Sequence, residues 1–448
     1  MAILSQSLVQ LFENSWASVP LKACVDSRFL QKQDVFFALE GAKVDGHQFL
    51  EEAASKGAAA AVVSASYRGQ DFGLTLIPSE NPLRALQELA RLMLEKRKLK
   101  IIAITGSYGK TTTKDFLTGI LKEKYTVASS PGNSNSQIGL PLALLNQVIE
   151  KEELFVLEMG MTHAGNIKRL VEIAPPDLAI ITSVALVHAC NFESLDAIAL
   201  AKAEIFSHPR TKAGILSKEI SSYETICNLG NFPKYSFSAS SRDADYCLEM
   251  KDGKHAFYER QGHCQIPPLA VPGKHNYHNL AAAVAAARQL NVGWEEICRA
   301  IPKLRLYERR LEHVELKGIL FVNDSYNANA ISMKAALESL PTPTHGGKTI
   351  ALLGEMLELG SFSDACHLEV GEAALSRADS MICLGNHCRP IAECWEKAKR
   401  PVKWVFKFEE AVAELQKQVM PGDVVLLKGS RSNGLWRVLQ EFQNNLSL

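Results

Sequence analysis

Along the chain, short apolar runs of strand length alternate with segments of helical period. Near the start, DVFFALEG and AAAAVVSA are strand-length runs. GHQFLEEAASKG between them has helical spacing and closes on Gly57, as a glycine-capped helix would. Residues 1–82 therefore read as a small α/β domain. NPLRALQELARLMLEKRK follows with helical spacing, a proline near its start and basic residues in its last turn, so it leads into the next domain.

Residues 83–311 carry three runs of buried-strand type, KIIAITG, LFVLEMG and LAIITSV, separated by stretches long enough for right-handed helical crossovers. A mostly parallel sheet with helices on both faces is predicted. YCLEMKDGKHAFYE alternates about Asp252-Gly253 and reads as a hairpin, an antiparallel addition to that sheet. From residue 312 the pattern restarts with GILFVNDSYNAN, KTIALLGEM, SMICLGN, VKWVFK and DVVLLKGS, again with helices between. That makes residues 312–448 a Rossmann-like, doubly wound domain, and the fold class α/β in three domains.

Composition narrows the field. The 448 residues are too many for one ordinary core, and leave room for a ligand cleft between domains. Lys plus Arg and Asp plus Glu both number 49, so no global field draws in nucleic acid or an anionic membrane, and any phosphate must be held locally. The ten cysteines show no CxxC pair or zinc-type spacing and are expected as reduced thiols. MAILSQSLVQLFENSW lacks the features of a secretory signal, and no apolar run approaches the roughly 20 residues of a membrane span. A soluble cytoplasmic protein is expected.

The stretch ITGSYGKTTTKDFL, residues 104–117, carries the most chemistry. A strand, a glycine turn and a helix bring backbone N–H groups and the positive end of a helix dipole to one point, which suits a phosphate. Gly106 and Gly109 let the backbone come close, with Ser107 between them. Lys110 can reach the outer phosphates, and Thr111, followed by Thr112, can offer a hydroxyl to magnesium. GSYGKT has two residues between its first glycine and Gly-Lys where the common nucleotide loop has four. The central domain is thus expected to be a P-loop-type ATPase; a glycine turn with an incidental lysine is the alternative.

TGSYGKTT resembles the TGxxGKT loop of the Mur ligase family, and the likeness runs in order through the whole chain. The resemblance implies ATP and magnesium as cofactors. Its catalytic set is Lys110, Lys202, His188 and Arg310. Glu158, at the end of the strand in LFVLEMG, would bind magnesium, as would Thr111; by itself a strand-end glutamate is more often merely solvated. His188 follows ITSV, where Ser183 replaces the usual asparagine, and would hold a second magnesium. Lys202 in AKAEI corresponds to a lysine carbamylated in most members; an ordinary helix-surface lysine is the alternative. Asn133 and Asn135, in PGNSNSQIGL, would touch substrate, although turn chemistry would also explain them, and Ser136 stands where many relatives have asparagine. His275, Asn276 and Asn279 correspond to adenine contacts; Asn276 could also serve as a helix N-cap.

In the last domain, LYERRLE is similar to the family's PGRxE turn, which gives Arg310 the nucleotide and places Arg309 where glycine is usual. Asp324 would face the ATP ribose, and Tyr326, Asn327 and Asn329 would shape the acceptor-amine site. DSYNAN with the following SM, LLGEMLELG, His367 and LLKGSRS are similar to the members that accept D-alanyl-D-alanine. DSRFLQKQDVFFALEGAKVDGHQF resembles their uridine-nucleotide segment, with Ser27 and Arg28 as contacts; a helix start and a surface arginine are the plain alternatives. The implied partners are two small molecules, a UDP-N-acetylmuramoyl-tripeptide and D-alanyl-D-alanine, acted on by a monomer with no nucleic acid. Still open are a family member adding the third stem residue, a folylpolyglutamate synthase, and a nucleotide-binding protein without catalysis.

Overall fold

The computed structural model describes residues 5–15, 21–41, 43–147, 151–251, 253–260 and 262–444. Of the opening stretch, Gln6–Ser15 form a helix, while residues 1–4 and 16–20 lie outside the described residues. Three sheets follow one another along the chain.

The first holds β1 (Ala23–Cys24), β2 (Val35–Phe37), β3 (Ala60–Ser64) and β4 (Leu76–Ser79), parallel and in chain order. The expected strands form β2 and β3, and the helix between them ends against Gly57 at φ +76°. β1 and β4 are additions. One is two residues long and the other carries a proline, so neither shows a strand period.

Asn81 caps the helix Pro82–Arg97 by accepting from the Arg84 N–H at 3.0 Å, and Pro82 supplies the pre-set φ of the first helical position. This helix leads into the second sheet: β5 (Lys100–Thr105), β6 (Val127–Ser129), β7 (Leu154–Glu158), β8 (Leu178–Ile181), β9 (Ala213–Ser217), β10 (Lys234–Ser238), β11 (Tyr246–Lys251), β12 (Lys254–Glu259) and β13 (Gly262–Ile266). Its order is β13-β12-β11-β10-β9-β8-β5-β7-β6, antiparallel only at β11–β12 and β12–β13. The hairpin therefore forms where its alternation points; Asp252 of its turn lies outside the described residues.

β5 lies between β7 and β8, at the point where chain order reverses along the sheet. Ligands of open α/β sheets gather at the carboxyl ends of strands there. Register fixes the neighbours: Ile104 pairs with Glu158, and Thr105 with Ile181. The turn after Thr105 is thus flanked by the Glu158 carboxylate and by residues 182–183.

The third sheet holds β14 (Glu312–Leu316), β15 (Ile319–Asn323), β16 (Thr349–Gly354), β17 (Ser380–Leu384), β18 (Val402–Val405) and β19 (Val424–Lys428), in the order β14-β15-β19-β16-β17-β18. All five expected strands form. The antiparallel β14 is an addition, joined to β15 through Lys317 and Gly318, both at positive φ. Among the described residues no helix is long and apolar enough to cross a membrane.

Candidate active site

A cavity of about 590 Å³ opens between the carboxyl edge of the second sheet and the third sheet. Its size suits a nucleotide-scale ligand. Gly106, Ser107, Gly109, Lys110, Thr111 and Thr112 line it, as do Glu158, His188 and Lys202.

The turn after β5 is clamped against residues 182–185. Ser107 N–H donates to the Ser183 carbonyl at 3.0 Å, Tyr108 N–H to Ser183 Oγ at 2.9 Å, and Thr182 Oγ1 to the Tyr108 carbonyl at 2.6 Å. Ser183, in place of the usual asparagine, thereby pins the loop. The Ser107 and Tyr108 amides are spent on this clamp, so the cradle is narrower than the sequence suggests. The first amides of the helix Lys110–Leu121, which have no intrahelical acceptor, are the donors aimed at an anion. Both glycines are required: a Cβ on Gly106 would lie 2.0 Å from Thr182 Oγ1, and one on Gly109, at φ +80°, 2.3 Å from Asn279 Oδ1. Lys110 Nζ donates to the Gly106 carbonyl at 2.6 Å. Burial lowers its pKa and Arg310 adds to the effect, while Glu158 opposes it.

Glu158 is fully buried, so the solvated reading fails. Its Oε2 accepts weakly from Asn135 Nδ2 at 3.4 Å, whereas Oε1, 3.9 Å from Lys114 Nζ, has no hydrogen-bond partner. An orphaned buried carboxylate oxygen facing a cavity is a natural place for a cation. Lys114 was missed by sequence reasoning. It is buried, and its Nζ donates to the Ser130 and Gly132 carbonyls at 2.7 and 3.1 Å, holding the loop that carries Asn133 and Asn135 at the cavity rim.

Lys202, on the helix Leu195–Ala203, is buried rather than on the surface. Burial drives its pKa well down and Lys110 adds to that, so its amine is disposed to be neutral. His188 takes a left-handed backbone at φ +56°, and its Nδ1 meets the Glu358 carboxylate from the third-sheet unit. Burial lowers the His188 pKa against the pull of Glu358. Among the described residues, no cluster of three or more His, Cys, Asp or Glu side chains could hold a metal by itself.

His275, Asn276 and Asn279 line the same cavity from the first two turns of the helix Lys274–Gln289. Asn276 is not the N-cap: Gly273 holds that place, because the chain turns through φ +93° there. Asn276 reaches back instead, from Nδ2 to the Pro272 carbonyl at 2.6 Å, and its Oδ1 accepts from Asn279 at 3.2 Å. His275 Nδ1 is buried without a partner, and burial lowers the His275 pKa while Asp324 opposes that.

From the opposite wall, Arg310 Nη2 donates to Thr111 Oγ1 at 2.8 Å, its Nε is buried and unpartnered, and its guanidinium lies 4.4 Å from the Tyr326 ring centroid. The turn before it survives without glycine. Arg309 adopts φ +61° with its guanidinium 4.5 Å from the Trp436 ring centroid, a stacking that offsets part of the left-handed strain. The Asp324 carboxylate is engaged by Lys428 Nζ at 2.6 Å and by the Leu311 N–H at 3.2 Å. Lys428, inside LLKGSRS, also holds the Asn327 carbonyl at 3.0 Å. Tyr326 presents a buried hydroxyl with no partner. Asn329 caps the helix Ala330–Glu338 in a reciprocal pair with Ser332, a structural duty the sequence reading omitted.

Ser27 and Arg28 are not brought to this cavity. Ser27 is buried and donates to Glu52 Oε2 at 2.5 Å, while Arg28 is exposed and paired with Asp26, so a short helix start and a surface arginine describe them. His367 is a core histidine: Nε2 accepts from Met356 N–H at 3.0 Å, and Nδ1 contacts the Ser363 carbonyl at 2.8 Å.

Comparison with known proteins matches three family descriptions: "Mur ligase family, catalytic domain" over residues 24–93, "Mur ligase middle domain" over 104–287, and "Mur ligase, glutamate ligase domain" over 309–431. The UDP-N-acetylmuramoyl-tripeptide--D-alanyl-D-alanine ligase of Bacillus subtilis is 32% identical over 425 residues, covering 93% of this chain and 92% of that protein. A MurF crystal structure from Acinetobacter baumannii superposes with a TM-score of 0.83 at 27% identity, covering 98% of both chains. MurF ligase from Thermotoga maritima in complex with ADP superposes at 0.77 and 28% identity, covering 95% of this chain and 98% of that one.

Proposed function

The chain belongs to the Mur ligase family, and on that premise we propose that it joins D-alanyl-D-alanine to UDP-N-acetylmuramoyl-tripeptide with cleavage of ATP to ADP and phosphate. The reaction belongs to peptidoglycan precursor synthesis and is placed in the cytoplasm, where ATP is supplied. The observation that carries this reading is the reach of Arg310 from the third-sheet unit to Thr111 in the phosphate loop, which makes one cavity of two walls.

Lys110 and the helix amides bind the triphosphate from one side and Arg310 from the other. The tripeptide carboxylate attacks the γ-phosphorus and ADP leaves, giving an acyl phosphate. The amine of D-alanyl-D-alanine, arriving neutral, adds to the carbonyl carbon, and phosphate departs from the tetrahedral adduct. A carboxylate alone is a poor electrophile with no adequate leaving group; phosphorylation supplies one. Lys110 and Arg310 neutralise the charge that builds on the transferring phosphoryl group, which is the main task in such chemistry.

The orphaned Glu158 oxygen and the Thr111 hydroxyl fit a magnesium ion. Bound there, such an ion would offset phosphate charge. His188 is the candidate for a second ion. Lys202, buried and disposed to be neutral, fits carbamylation: its lone pair adds to carbon dioxide with loss of a proton, giving a carboxylate in place of the amine. His275, Asn276 and Asn279 are assigned to the adenine and Asp324 to the ribose. Asn133, Asn135, Tyr326, Asn327 and Asn329 are assigned to the tripeptide and acceptor, and the first-sheet unit to the uridine nucleotide. Ser27 and Arg28 would serve there after exchanging their Glu52 and Asp26 partners for ligand oxygens.

Phosphate release by the purified chain tests the assignment. Sustained release is expected only when ATP, UDP-tripeptide and D-alanyl-D-alanine are all present. Release that needs a free diamino acid or glutamate instead would transfer the chain to one of the related ligases.

A further inference from the structure

LLGEMLELG was singled out in the sequence, yet none of its residues lines the cavity. Its last part forms a strap across the gap between the second and third sheets. We propose that Glu358 is a positioning residue that orients His188, so that the site is complete only when the two sheet units meet; this rests on the ligase reading of His188.

The Glu358 carboxylate binds His188 Nδ1, and the Glu358 carbonyl accepts from the Cys190 N–H at 3.2 Å. Gly360 presses on the same segment: a Cβ there would lie 3.0 Å from Cys190 Cα. The strap is rigidly backed. Met356 N–H donates to buried His367, and Leu357 N–H to Ser430 Oγ, each at 3.0 Å. His188 and Glu358 face each other in left-handed backbone, at φ +56° and +62°, a strain that needs surrounding structure to hold it. With Nδ1 committed to Glu358, the ring keeps its proton on that side, and Nε2 is left with its lone pair. His188 lines the cavity while Glu358 does not, so the carboxylate acts through the ring. The histidine and its carboxylate come from different sheet units, which ties ring orientation to closure.

The test is Mn²⁺ titration of the full chain with a non-hydrolysable ATP analogue, read by electron paramagnetic resonance, alongside kcat. Glu358→Ala is expected to weaken Mn²⁺ binding and lower kcat by about 10- to 100-fold, with affinity for the analogue alone unchanged. Glu358→Gln, whose amide oxygen still accepts from the ring, should recover most of the Mn²⁺ affinity. Wild-type Mn²⁺ binding in Glu358→Ala overturns the proposal, as does an equal loss in both variants accompanied by a lowered melting temperature. A wild-type chain that binds Mn²⁺ but releases no phosphate with the two substrates would remove the substrate assignment alone, leaving the comparison between variants intact.

Discussion

The two walls of the cavity are built by opposite means. On the central wall, β5, the Gly106 and Gly109 bends and the following helix carry Lys110 and Thr111 on a dozen or so consecutive residues, with Thr182 and Ser183 clamping the turn. On the facing wall, Arg310, Asp324 and Tyr326 are placed by partners far away in the chain. Lys428 sits 104 residues from the Asp324 it holds, and Trp436 supports the turn at Arg309. A wall built from long-range pairs depends on the packing of its whole unit.

Substitutions can break or sharpen this contrast. Lys110→Ala should lower turnover by about 10³-fold or more in a phosphate-release assay, with a smaller shift of the unfolding curve from the lost hydrogen bond to the Gly106 carbonyl. Lys428→Met, on the other wall, should cost stability as well as turnover, because Asp324 and Asn327 lose their anchor. It leaves the partly buried Asp324 charge unpaired, and urea titration should show a loss of about 3–5 kcal/mol. Gly109→Ala strains the local wall itself, by about 1–2 kcal/mol for the left-handed residue, with Asn279 displaced in addition; ATP binding should weaken with it.

Lys202→Met is expected to change pH dependence. Without carbon dioxide, where Lys202 stays a free amine, the folded lysine has its pKa well below the ordinary 10.5, so the unfolded chain holds more protons in the interval between. Its contribution to stability is therefore complete above 10.5 and is lost as pH falls through the folded value. Melting temperature measured against pH should flatten in that interval in the variant. Smallest of all, Arg309→Gly relieves left-handed strain but forfeits the stack on Trp436, and thermal unfolding should move by less than about 1 kcal/mol.

The same contrast decides what the sequence reveals. The glycine turn after β5 and five strands of the third sheet are legible because apolar period and glycine position carry them locally, whereas Glu158 stands out only through the family resemblance. Lys114 escapes notice, and the motifs holding Lys428 and Glu358 are noticed without their partners, because these duties exist only across register and between units. The alternative reading of Asn276 as an N-cap fails because Gly273 turns the chain first. Ser27 and Arg28 fit their motif, yet pair with Glu52 and Asp26 away from the cavity. Arg309 breaks the glycine pattern while keeping its backbone angle, since an aromatic ring from a distant segment supports it.

A crystal structure of the chain with magnesium and a non-hydrolysable ATP analogue tests the central claim most directly. The account predicts the triphosphate lying between Lys110 and Arg310, with the metal on Glu158 and Thr111. A triphosphate seated away from Lys110, or an Arg310 turned out of the cavity while nucleotide is bound, would contradict it.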